Sequence, residues 1–187
     1  MFCLDCETLG VDSDSAVLSI ALIHFDENKK YTFQELVENS CFVKFDIQEQ
    51  IREYKRTIDK ETVEWWKRQS KIAKDYSLTP SGNDISLIEG IEILQKYVKG
   101  RSSVEKEVVW IRGSLDQFVL DHLFKSAGKD VLFAYSQYLD MRTAIYLLKE
   151  TNNGGYCPVP GLDMNSVYKH LPDHDCALDI MMLLYGV

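Results

Sequence analysis

The sequence predicts one α/β domain with a mixed central sheet in βββαβαβα order flanked by helices, and three observations carry that prediction. Short β-branched apolar runs alternate with amphipathic helical stretches through the second half of the chain. The 187 residues are one domain's length, and no repeat, low-complexity segment or linker divides them, so 1–187 is read as a single unit. The composition is 45% hydrophobic and 11% aromatic with 10 Gly and 4 Pro, enough to bury a core and too little punctuation for a disordered or fibrous chain.

In order, residues 2–7 (FCLDCE) read as a short first strand. Residues 16–25 (AVLSIALIHF) form a long apolar run, a central strand. Residues 31–38 (YTFQELVE) alternate and read as the third strand, reached through a turn at 26–30. Residues 46–78 change character: they are polar and helix-favouring, carry Trp65 and Trp66, and offer Asp59 and Ser70 as N-caps, so a helical insertion is expected there. Ile85, Ile88, Ile91, Leu94 and Val98 recur at helical spacing across 84–99, with Gly100 at the stop. Residues 107–113 (EVVWIRG) predict a strand. Ser114 to Gln117 has capping-box form and starts a helix that ends near Ala127, before Gly128. Residues 131–135 (VLFAY) read as a strand, and Asp140 caps a helix that runs to about Lys149. After a loop at 152–160, a last helix begins near Asp173 and carries Ile180, Met181, Leu183, Leu184 and Tyr185.

Several function classes are disfavoured at once. No apolar run reaches membrane-spanning length, and the N-terminus lacks the basic segment and apolar core of a secretory signal, so a soluble cytoplasmic protein without a membrane partner is expected. The five cysteines are odd in number and scattered, which implies no disulfide framework. Cys3 and Cys6 form a C-x-x-C that invites a zinc or redox reading, but strand positions three apart face opposite sides and no second pair completes a site. The net charge of −8 disfavours a pure nucleic-acid binder. Residues 52–74 hold eight Lys/Arg against four acids, however, and this +4 segment leaves −12 on the remainder. An acidic body with one basic segment suits an enzyme that holds metals and binds a polyanion weakly. A solvated helical face is the plain alternative for the same charges.

The acids carry the chemistry. Asp5 and Glu7 are two apart on a strand, on one face and about 6.6–6.8 Å apart along the backbone, a spacing that can grip a pair of hard cations. An exposed acidic strand end is the bland alternative. Asp116 falls in the first turn of a helix directly after a strand, where the helix dipole favours a carboxylate. Asp179 sits between Leu178 and Ile180 in an otherwise apolar helix and is a candidate inward-facing charge that needs a partner. With His174 it makes an H-x-x-x-x-D pattern; His170 and Asp175 make a second one. The His174/Asp179 register is preferred, because Asp175 reads as an ordinary helix-start acid. Trp65 and Trp66 face directions about 100° apart on a helix, so at least one packs inward; core packing of both is the preferred reading, and a base stacked on one of them is the alternative. His24 and His122 belong to no motif.

LDCETLG, RGSLDQFVL and HDCALDIMMLLY, in that order, resemble the three motifs of the DEDDh exonuclease superfamily. TVEWWKRQS at 62–70 and DMRT at 140–143 are similar to segments of the T-even phage exonuclease A and RNase AS families within it. The resemblance spans nearly the whole chain and implies an RNase H-like fold and a metal-dependent 3′→5′ exonuclease acting on single-stranded DNA or RNA 3′ ends, with DNA favoured. It implies two Mg²⁺ or Mn²⁺ ions: Asp5 bridging both, Glu7 and Asp179 completing the first site, and Asp116 holding the second. His174 would be the general base. Thr8, Leu9, Trp65, Trp66 and Arg142 would contact substrate, with Lys67 and Arg68 as further phosphate candidates. A homodimer is compatible with the RNase AS likeness. The competing class is a non-catalytic nucleic-acid-binding module on the same fold, for which the loss of an acid or the histidine would be expected.

Two carboxylates ~5 Å apart repel by roughly 3 kcal/mol at an effective dielectric near 20. Four converging acids cost several times that, comparable to a domain's whole stability, unless cations neutralise them. Mg²⁺ or Mn²⁺ is therefore expected to raise the melting temperature over that of the chelated protein, and Asp116→Asn to shrink the rise. A thermal melt that neither metal moves would remove the metal site.

Overall fold

Strand β1 (Phe2–Thr8) is the middle of a five-stranded sheet, and the rest of the chain is arranged on it. In this computed structural model residues 1–101, 107–151 and 153–187 are described. The strand order is β3-β2-β1-β4-β5, with β2 (Val17–His24), β3 (Cys41–Lys44), β4 (Val109–Ile111) and β5 (Tyr138–Asp140). β1–β2 and β2–β3 are antiparallel, whereas β4 runs parallel to β1 and β5 parallel to β4. Parallel neighbours need crossovers, and helices α5 (Leu87–Lys99) and α6 (Leu115–Ser126) lie in the connections into β4 and β5. The mixed sheet in this order is that of an RNase H-like exonuclease fold.

The period of two along β1 divides the core. Phe2, Leu4 and Cys6 face a cluster built with Ile91, Leu94, Val119 and Leu123 of α5 and α6. Cys3 faces the other way, into a cluster with Ala21, Ile23 and the buried residues of α8 (Pro172–Tyr185). The two sulfurs of the C-x-x-C thus lie on opposite faces of the sheet, as strand geometry requires. α8 covers the second face and buries Cys176, Ala177, Ile180 and Met181.

The insertion at 46–78 is helical: α2 (Ile47–Tyr54), α3 (Lys60–Lys67) and α4 (Lys71–Ala73), the last running into a π-helical turn at Lys74–Leu78. Asp59 and Ser70 cap α3 and α4 by accepting from the Thr62 and Ala73 N–H groups.

Three expectations are corrected. Residues 31–38 are not the third strand. Thr32 and Glu35 form a reciprocal capping box, and Phe33 and Leu36 are buried one turn apart, so the segment is helix α1 (Phe33–Glu38) and the strand follows as β3. Residues 131–135 are not a strand either: Phe133 is buried, but the backbone turns through a 3-10 helix at Tyr135–Gln137 before β5. Ser114 precedes α6 without making a side-chain cap bond. Asp140 does cap α7 (Met141–Leu148), accepting from Thr143 N at 2.6 Å. The loop expected at 152–160 is irregular from 153 onward, and Asn152 lies outside the described residues.

The β1–β2 ladder shifts register between Glu7 and Thr8. There, fully buried Gln50 of α2 accepts from Val17 N at 2.9 Å and donates to Val17 O at 2.8 Å. One side chain thus satisfies both backbone groups of a strand residue beside the irregularity. Gln50→Leu should leave both unsatisfied and cost about 2–4 kcal/mol. Thermal unfolding of the chelated protein should show a melting temperature lower by roughly 5–15 °C; an unchanged melt would mean that water or a shifted neighbour replaces the amide.

Candidate active site

The cleft exists because β4 leaves β1 early. Among the described residues they pair through Phe2↔Val109 and Cys3↔Trp110. Farther along β1, the Cys6 N–H donates instead to Asp116 Oδ1, at 3.2 Å. Asp116, in the first turn of α6, is thereby tied to β1 and buried. Asp5 and Glu7 share the β1 face that looks toward α8. From α8, Asp175 and Asp179 are one turn apart and project into the same space.

The cavity between them measures about 290 Å³ and is lined by Asp5, Glu7, Arg112, His170, Asp175 and Asp179, among others. Donor atoms of Glu7, His170 and Asp175 lie within 4.8 Å of one another. Burial, together with the charges of Asp116, Glu7, Asp175 and Asp179, pushes Asp5 well above the ordinary carboxylate range. Burial chiefly pushes Asp116 up to about 8 against the Cys6 N–H that pulls it down, and pushes Asp175 up to about 7 with Glu7 adding to the rise. Glu7 is raised by burial, an effect the His170 contact opposes. These carboxyls resist ionising together, and a bound cation would offset that cost. The carboxylate oxygens are donors that suit hard divalent ions.

The structure brings His170 and Asp175 to Glu7, and it does not bring His174. His170 adopts a left-handed backbone, φ 62°, just before α8. Its N–H donates to Asp175 Oδ2 at 2.8 Å, and its Nδ1 stands 3.6 Å from Glu7 Oε1. The Glu7 contact raises the His170 pKa against burial. His174 lies about 100° round the helix from Asp175. Its ring packs against Phe33 at 5.3 Å and Tyr168 at 5.5 Å, and its Nδ1 accepts from Tyr168 N at 3.3 Å. Burial lowers its pKa.

Asp179 is a buried inward-facing acid, as its apolar flanks imply, but its partner is a protein cation. Arg112, at the end of β4, donates its Nε to both carboxylate oxygens and its Nη2 to Oδ1. Burial works against the charge on Arg112, and the Asp179 carboxylate more than offsets it. Arg112 opens the RGSLDQFVL motif, yet nothing in the sequence ties it to an acid 67 positions away.

A second pocket of about 500 Å³ shares Cys6 and Glu7 with the acid cavity and is lined by Thr8, Thr62, Trp65, Trp66, Arg68 and others. Trp66 is fully buried and donates Nε1 to Thr8 O at 2.8 Å. Trp65 is half-buried, with its ring 4.8 Å from that of His170 in an edge arrangement. Of the two, Trp66 is the core residue, and Trp65 keeps part of its ring accessible. Thr8 Oγ1 donates to Gly10 O at 2.6 Å, and Leu9 is buried beside Trp66. Arg142 is exposed on α7, outside both pockets.

The basic segment is largely committed to the protein itself. Arg56 is buried and donates to the Ser13 and Ser15 carbonyls, while Arg52, Lys67 and Lys71 pair with Glu53, Glu64 and Asp75. Of the segment's cations, Arg68 reaches the aromatic pocket.

Residues 1–169 match the family described as the 3′-5′ exoribonuclease Rv2179c-like domain. All of this chain aligns over 203 positions, at 32% identity, with 88% of a protein from Enterobacteria phage T4 named exodeoxyribonuclease. No helix among the described residues is long and apolar enough to cross a membrane. The family match over most of the length, the full-chain relative and an acid-lined cleft at the parting of β1 and β4 agree: the chain belongs to the Rv2179c-like 3′-5′ exoribonuclease domain family and is a 3′-5′ exonuclease of the DEDDh type.

Proposed function

We propose that the chain removes nucleotides stepwise from the 3′ end of single-stranded nucleic acid, with DNA favoured, and that Asp5, Glu7, Asp116, Asp175 and His170 are the working set. The observation that carries this reading is the convergence of Asp5, Glu7, His170 and Asp175 on one cavity that shares its Cys6 and Glu7 walls with an aromatic pocket, while the Cys6 N–H ties Asp116 to the same strand. Asp5, Glu7, Asp116 and Asp175 would hold two Mg²⁺ or Mn²⁺ ions. Such ions neutralise charge on the attacking and leaving oxygens of an in-line displacement at phosphorus. His170 accepts the proton of the attacking water; a P–O bond forms to that water, and the bond from phosphorus to the penultimate O3′ breaks. The products are a nucleoside 5′-monophosphate and a new 3′-hydroxyl. Glu7, beside the His170 ring, orients it and favours the protonated imidazole that the step creates. Trp65 offers a face to the terminal base, and Trp66, locked to Thr8 O, fixes the wall behind it.

His170 and Asp175 replace His174 and Asp179 in this assignment. His174 is turned away, and Asp179 already has its charge matched by Arg112. The preference for DNA is supported by the full-chain match to the T4 exodeoxyribonuclease. The family match, described as exoribonuclease, ends at residue 169, short of His170 and Asp175. That description nevertheless favours a second reading, an exoribonuclease of RNase AS type.

The test is degradation of matched 5′-labelled single-stranded DNA and RNA oligonucleotides with EDTA, Mg²⁺ or Mn²⁺. A metal-dependent ladder shortening from the 3′ end is expected, faster on DNA. His170→Ala should slow it by about 10²–10⁴-fold, while His174→Ala stays within a few-fold of wild type. The reverse pattern would return the base to His174; faster RNA decay would select the second reading.

A further inference from the structure

The acid cavity has a second neighbour. Tyr156 and Leu178 line both it and a pocket of about 340 Å³ whose other walls include Pro158, Val159, Met164 and Met182. The acid cavity thus shares walls with both neighbours, Cys6 and Glu7 of β1 with the Trp65 pocket and Tyr156 and Leu178 with the Tyr156 pocket. An exonuclease that holds the terminal nucleotide on one side of its acids must pass the rest of the strand along the other.

Tyr156 is 41% exposed, yet the segment that carries it is fastened at several points. Its N–H donates to Asn153 O at 2.9 Å, and its carbonyl accepts from Thr151 Oγ1 at 2.9 Å. The Gly155 carbonyl accepts from Arg112 Nη1 and Nη2 at 3.2 and 3.3 Å. Gly155 itself is at φ +76° and lies so close to α7 that a Cβ would stand 2.3 Å from Arg142 Cγ, so only glycine fits. Downstream, Val187 N donates to Pro158 O at 3.0 Å. The Arg112 Cζ sits 4.1 Å from the Tyr156 ring centroid, a cation–π contact on one face of the ring. Arg112 is in turn held by Asp179. An exposed aromatic ring on a fastened backbone, with one face against Arg112 at the rim of an acid-lined cleft, is a ready platform, because less ordering entropy is lost when a base stacks on its free face.

We propose that Tyr156 is a stacking platform for the base of the penultimate nucleotide, with Arg112 and Asp179 as positioning residues that fix its ring. This deepens the exonuclease reading above, resting on it for the polarity of the strand. The Arg112–Asp179 pair then has a role of its own. It sets the wall of the upstream subsite, and the acids beside it are left to the reaction.

Binding to the chelated protein tests this without turnover. The probes are a single-stranded DNA oligonucleotide and versions made abasic at one position, either the 3′-terminal or the penultimate nucleotide, with Kd read by fluorescence anisotropy. Wild type should lose about 5- to 150-fold in affinity when the penultimate base is missing, the span of base–aromatic stacking. Tyr156→Phe should keep that ratio, and Tyr156→Ala should bind the intact and penultimate-abasic strands alike. If Tyr156 were only structural, Tyr156→Ala would weaken both strands and leave the ratio unchanged, which overturns the proposal. A Tyr156-dependent ratio appearing at the terminal position instead overturns the assigned polarity and the proposal with it. Failure of the 3′ ladder in wild type, with the ratio intact, sinks the exonuclease reading and leaves the subsite standing.

Discussion

Carboxylates crowded where β4 parts from β1 are the constraint on which the rest of this structure depends. Asp5 and Glu7 are fixed by a strand hydrogen-bonded through Phe2–Thr8 to β2, Asp116 by the Cys6 N–H, and Asp175 by the His170 N–H. None of these backbone anchors lets an acid swing away to relieve repulsion. The force that keeps them in place is burial of apolar surface on both faces of β1, by α5 and α6 on one side and α8 on the other. The site is thus a local electrostatic cost sustained by packing elsewhere, and its raised carboxyl pKa values express that cost.

The placement of Asp5, Glu7 and Asp116 was legible because it rests on short-range rules. A period of two places Asp5 and Glu7 together, and a strand-to-helix junction places Asp116 at a helix N-terminus. Which histidine and acid of the third motif stand beside Glu7 was not legible, for two physical reasons. H-x-x-x-x-D occurs twice within ten residues, and the apolar flanks that favoured Asp179 arise because α8 is buried over most of its length. Those flanks therefore carry no information about which acid stands beside Glu7. The decisive feature, a left-handed backbone at His170, is rare for a non-glycine residue and leaves no mark in composition. The partner that claims Asp179 is remote in sequence as well.

The same limit explains the fold. The β-rich run that became β2 and the long periodic helix α5 were readable from pattern alone. YTFQELVE carries both a period of two and, through Phe33 and Leu36 behind a Thr–Glu capping box, the start of a helix; six residues are too few for periodicity to arbitrate. The strand that follows, Cys41–Lys44, is short and was hidden behind it. The basic segment shows a parallel limit in charge counting. Its surplus of cations counts toward an electrostatic footprint in sequence, but Arg56 is buried against carbonyls and several others are paired at the surface.

The brevity of β4 has an evolutionary side. A three-residue strand is a weak element, and ordinary selection for stability would lengthen it. Each added rung of the parallel ladder would take up the backbone groups of β1 that now face the gap, Cys6 N–H first among them, and would displace the Asp116 carboxylate that it holds. The sheet would gain hydrogen bonds and close over its own chemistry. Drift at residues 112–114 is therefore confined from two sides: a chain that frays there loses the fold, and a chain that zips there keeps the fold and loses the enzyme.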